Sequence, residues 1–238
     1  MKTLTLFLGA VTLGLSNLHA QDYTTYDALL KKYVSPDGVN YSAWSKNSTD
    51  KASLEKILKD WSKVQSKRLS KNDKAAFRIN LYNAAMIDVV LDRYPIDSVT
   101  TIGQRFSIFQ KNIIATPSGN ISLDTLEKKT LFRDFPDGRI HFAVNCASVS
   151  CPPLRAEAFV GKELDRQLDE QAKQFANSKH AVQVSGSTAK YSELFNWYSK
   201  DFKTTNPAIY INKYRTSKLK TSLKKDWIKY DWSLNKSK

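Results

Sequence analysis

The chain has two cysteines, Cys146 and Cys151, and both lie in the stretch Arg139–Leu154, RIHFAVNCASVSCPPL, with His141 just upstream. Nowhere else do a nucleophile and a base come so close in sequence. A cysteine attacks as thiolate, and a neighbouring imidazole lowers its pKa enough to supply one near neutrality. His141 is the candidate base, Cys146 or Cys151 the candidate nucleophile, and Glu127 the carboxylate that would fix the imidazole tautomer, in the logic of a catalytic triad. The same cysteine pair across a four-residue gap is also the pattern of a disulfide, which would close Ala147–Ser150 into a small ring and extinguish the nucleophile. Both readings stay open on the sequence. Zinc held by His141, Cys146 and Cys151 would lack finger spacing and a fourth ligand, so no metal and no cofactor is expected.

The elements that must position these residues come from periodicity and punctuation. Ile140–Val144 reads as a short central strand, halted after a small-residue loop by Pro152 and Pro153. The strongest helix runs from Lys74 to about Tyr94. It starts at a capping box formed by Ser70 and Asp73, stops at Pro95, and is apolar nearly all round, so it must be buried. Asn80 and Asn83 lie three apart on it. Buried amides need partners, and these two either tie down backbone or, with Asn145, line a substrate pocket. Further helices are expected over Tyr26–Tyr33, from Ser48 to Trp61, from Ser122 or Asp124 through Phe132, and from Gly161. Hairpins are expected over Lys111–Leu123 and Ala181–Tyr191. Helices alternating irregularly with short hairpins give an α+β class: a mainly helical single domain with a small antiparallel sheet.

The first twenty residues read as an export signal: Lys2, the apolar run Leu4–Leu15, and a small-residue exit at Ala20. The chain is therefore expected to be one domain over residues 21–238, periplasmic or secreted, with no transmembrane segment after cleavage. Formal net charge is +14, and Lys200–Lys238 holds eleven basic and three acidic side chains. This is a solvated lysine-rich face, or a surface attracted to an anionic cell-envelope component. Nucleic acid is not an expected partner, because export removes the opportunity.

Several segments together resemble the domain-of-unknown-function 547 family. They are AAFRINLYNAAMIDVVLDRYP (75–95), SLDTLE (122–127), RIHFAVNCASVSCPPLRAEAF (139–159), LFNWYSKDF (194–202) and YDWSLN (230–235). Arg78 departs from the pattern, standing where members commonly carry tryptophan. The resemblance places the recurring histidine, cysteines and glutamate of that family on His141, Cys146, Cys151 and Glu127, and implies an exported bacterial protein without implying a reaction. The constellation is similar in kind to that of papain- or transglutaminase-type thiol hydrolases, with the usual order of cysteine and histidine reversed. The expectation is a thiol-dependent hydrolase or acyl transferase acting on a peptide-like amide or ester in the cell envelope. The alternative is a non-catalytic envelope binding or scaffold protein with a Cys146–Cys151 disulfide and a basic partner-binding surface.

Overall fold

The computed structural model describes residues 22–237, so the expected export signal lies outside the described residues. The centre is the helix α4 (Lys71–Arg93), capped by the Ser70 hydroxyl, which accepts from the Asp73 N–H at 3.2 Å. Fifteen of its residues, from Ala75 to Leu91, are buried on every side of the helix, as its all-round apolar pattern requires. Three earlier helices, α1 (Thr24–Tyr33), α2 (Tyr41–Lys46) and α3 (Ser48–Trp61), pack together, with α2 and α3 against α4. Between α1 and α2 lies the two-stranded antiparallel pair β1 (Val34–Ser35) and β2 (Gly38–Val39).

The chain then runs through the short α5 (Ser107–Gln110), a wide π-helical segment Thr125–Leu131, and α6 (Phe132–Asp134). The hairpin expected over Lys111–Leu123 is reduced to a single bridge between Ile114 and Ile121. After Pro153 the chain passes the N-terminus of α4 at Gly161, where a Cβ would collide with the Asp73 carboxylate, and enters α7 (Leu164–Ala176). The expected hairpin about Gly186 is present as β3 (Val182–Ser185) and β4 (Thr188–Ser192), paired antiparallel. Beyond it come α8 (Leu194–Trp197), α9 (Pro207–Ile211) and β5 (Lys224–Ile228), and β5 joins β4 in parallel. The class is α+β and mainly helical, with one parallel pairing beyond the antiparallel ones expected.

Two cores result. The larger is built on α1–α4 with Ile140 and Phe159. The smaller gathers Phe175, Phe195, Phe202 and Tyr210 around Phe142. The segment between them corrects the expected strand: Gly138–Phe142 is a 3-10 helix, closed by the Ile140 N–H to the Asp137 carbonyl (3.1 Å) and the Ala143 N–H to the Ile140 carbonyl (2.9 Å). A turn of about three residues points successive side chains in three directions. Ile140 enters the first core, Phe142 the second, and His141 faces neither. A strand would have put Ile140 and Phe142 on one side. Among the described residues no helix is long and apolar enough to cross a membrane.

Candidate functional site

His141 is 3 % exposed and held flat between two rings, Phe132 at 4.2 Å and Tyr198 at 3.9 Å between centroids. Its Nε2 lies 2.9 Å from the Asp201 carboxylate. Burial lowers its pKa from the ordinary imidazole value, and Asp201 only partly opposes this. A neutral ring donating from Nε2 leaves Nδ1 unprotonated, which is the form of a base. Nδ1 faces Glu127 at 3.9 Å, too far for a hydrogen bond. The imidazole is thus oriented by Asp201, which corrects the role expected of Glu127. Asp201 lies in the LFNWYSKDF segment; the signal for it was a carboxylate among aromatic residues of a segment that the family resemblance had already singled out.

Glu127 comes from the π-helical segment, whose start is fixed by the Ser122 hydroxyl accepting from the Thr125 N–H at 3.1 Å. The wide turn carries Glu127 inward between the buried Leu126 and Leu131. Desolvation pushes its carboxyl up to about 7; Lys128 and Tyr82 pull against this while Asp124 and Asp201 add to it. No hydrogen bond of ordinary geometry reaches that carboxyl from the described residues.

Cys146 and Cys151 are joined by a disulfide, with Cα atoms 6.3 Å apart. The Cys146 N–H donates to the Cys151 sulfur at 3.0 Å, the Ser148 hydroxyl lies 3.1 Å from the Cys146 sulfur, and the Tyr230 hydroxyl lies 3.4 Å from each sulfur. Neither sulfur is hydrogen-bonded to His141. All four expected catalytic residues nevertheless line one cavity of about 430 Å³, together with Tyr82, Tyr198, Tyr230, Trp197, Trp232 and Phe106. A cavity of this size suits a small organic ligand.

The three asparagines expected to bind substrate do something else. Asn80 brackets Phe159, donating to its carbonyl at 2.8 Å and accepting from its N–H at 2.9 Å. Asn83 donates to the Ala143 carbonyl at 2.9 Å and accepts from the Asn145 N–H at 2.8 Å. Asn145 donates to the Pro152 carbonyl and accepts from the Ala147 N–H and from Asn235. Each carboxamide is engaged by backbone at both ends, and none of the three is among the residues lining the cavity, so this corrects the pocket-lining role. On the opposite side Gln167 brackets Ala158 and Val160, while Gln171 donates to Phe142 and Pro153. Sequence reasoning passed over these two, although two glutamines four apart on the apolar face of α7 were the sign. Arg78 is buried as well, reaching the Thr130 carbonyl (2.9 Å) and Asp134 (2.7 Å), and so ties α4 to the segment bearing Glu127.

Residues 66–176 match the family described as Protein of unknown function, DUF547. That span holds α4, Glu127, His141 and both cysteines. No curated protein and no solved structure matches the chain.

Proposed function

We propose, from the premise that the chain carries the DUF547 family domain over residues 66–176, that it is an exported thiol-dependent hydrolase or acyl transferase acting on an amide or ester in the cell envelope. The observation that carries this reading is convergence: His141, Glu127, Cys146 and Cys151, chosen for their chemistry, line the same cavity. The active form is the dithiol, generated by a thiol reductant of the compartment. Cys146, the more exposed of the pair, attacks the acyl carbon as thiolate. Its proton passes to Nδ1 of His141 through one water, because the sulfur and the ring do not touch. Asp201 steadies the imidazolium, the leaving amine or alcohol takes that proton, and water or an acceptor releases the thioester. Glu127, too far from Nδ1 to hydrogen-bond it, is left to meet the substrate.

The test is alkylation by a chloroacetamide probe in native buffer, before and after reduction. Expected are no labelling of the bridged protein, rapid labelling at one cysteine after reduction, and at least about tenfold slower labelling in His141→Ala. Labelling at the rate of a free thiol, indifferent to His141, would discard the enzyme reading.

The disulfide itself favours a second reading, a non-catalytic envelope-binding protein in which the bridge is permanent. The basic segment from Lys200 onward would then meet an anionic partner. Binding to anionic envelope polymer that collapses between low and physiological salt supports it, and salt-indifferent binding counts against it.

A further inference from the structure

Among the described residues, this strongly basic chain sets no lysine or arginine against the buried carboxyl group of Glu127. It carries 37 Lys and Arg residues, yet among the described residues none forms an ion pair with Glu127. The ammonium of Lys128, its neighbour in sequence, lies 2.9 Å from Asp124. His141 is no substitute, since burial disfavours its charged form. Glu127 is 6 % exposed, lines the cavity and has no ordinary hydrogen bond to hold it. A carboxylate placed like this costs stability unless something brought from outside meets it.

The rest of the wall says what that something is. Tyr82, Phe106, Trp197, Tyr198, Tyr230 and Trp232 line the same space. Trp197 and Phe106 are 47 % and 41 % exposed at its edge, and Tyr230 packs 4.4 Å from Trp232 and 4.9 Å from Trp197. Aromatic faces attract positive charge through their quadrupole, and most strongly when the cation is weakly hydrated. A calcium-type cation would want several protein oxygens, whereas this wall is mostly aromatic and offers two carboxylates, one of them already paired. A neutral ligand would leave Glu127 uncompensated wherever it is ionised, above about pH 7.

We infer that the cavity binds an organic cation, an alkyl-substituted ammonium group, with Glu127 as its counterion and the aromatic rings as its cage. The inference uses the cavity of the proposed enzyme without using its reaction. It names a positively charged head group on the substrate or ligand and holds for bridged and reduced protein alike.

Affinity should rise with pH as Glu127 ionises, by up to about tenfold per unit below its pKa of about 7. The charged and titratable groups around it are Tyr82 from α4, Asp124 and Lys128 from its own segment, His141 from the 3-10 helix, Tyr198 and Asp201 after α8, and Tyr230. The tyrosines are pushed above their ordinary values by burial and stay neutral through this range.

The test uses purified, bridged protein and the pair choline and 3,3-dimethyl-1-butanol, which have the same shape and differ in charge. Binding is followed by tryptophan fluorescence at pH 8. Choline should bind at least about tenfold more tightly than the alcohol. Glu127→Gln should reduce that preference to less than about twofold. The contrast in the wild-type protein stands even if the variant folds poorly. Equal binding of the two probes, a preference that survives Glu127→Gln, or a response to chitotetraose with none to choline would each overturn the inference. The enzyme reading stands or falls separately, on the labelling of reduced protein.

Discussion

Two sets of buried polar groups come together where His141 and Asn145 lie four residues apart, and they are treated in opposite ways. Around Asn80, Asn83 and Asn145 every amide end meets a backbone partner at 2.8–2.9 Å. In the cavity wall Glu127 has no ordinary partner and His141 has Asp201 on one nitrogen only. The first set is closed and holds the 143–159 stretch against α4; the second is open and faces space. Burial and polarity are the same in both sets; what differs is how much of each group's hydrogen-bonding capacity the protein itself uses.

The largest effect should come from opening the closed set. Asn83→Ala strands the Ala143 carbonyl and the Asn145 N–H, both buried, and each such group costs about 1–3 kcal/mol. Urea unfolding should therefore show a loss of about 3–5 kcal/mol, and a loss under 1 kcal/mol would erase the distinction between the two sets.

Next is the reverse operation on the open set. The Glu127 carboxyl is pushed up to about 7 in the folded protein, so the folded state holds this proton more tightly than the unfolded one. Its contribution is favourable at low pH and is lost as pH rises from about 4.5 through about 7. Glutamine does not titrate. Glu127→Gln should accordingly be more stable than the parent at pH 8, by up to roughly 3 kcal/mol, with the gap closing near pH 4.5. Asp88, pushed up to about 6 mainly by burial, bends both stability curves alike and cancels in the difference. Thermal melts at the two pH values decide it; a variant less stable at pH 8 would place Glu127 in the closed set.

The smallest effect sharpens the comparison at its boundary. Asp201 is 39 % exposed, so Asp201→Asn should change stability by about 1 kcal/mol or less. It should nonetheless move the NMR titration of His141 to still lower pH, since Asp201 is what opposes the effect of burial. An upward movement would mean that Asp201 does not hold the ring.

The stretch 139–159 announced itself by residue type, and α4 by its period, because both signals are local. The buried character of Glu127 was less legible: a glutamate on a helix is normally solvated, and only the wide π-helical turn carries it inward. Ile140–Val144 looked like a strand because a short apolar run does not reveal its period; three consecutive side chains serving two cores and a cavity required a tighter turn. Asp201 and Tyr230 were named within family segments but not given roles, since no local pattern says that residues 60 and 84 positions downstream return to His141 and Cys146.

The loop inside the disulfide ring is paired along its length with the last described segment. The Val149 N–H meets the Ser233 carbonyl, the Asn235 N–H meets the Ala147 carbonyl, and Ser148 reaches Tyr230 across 82 residues of sequence. Closing so long a span is slow compared with docking α3 on α4, which are neighbours in sequence. The ring therefore does more than close a loop: through these contacts it anchors the stretch that brings Tyr230 and Trp232 to the cavity, so the two cysteines shape the wall opposite Glu127 whether or not either one reacts.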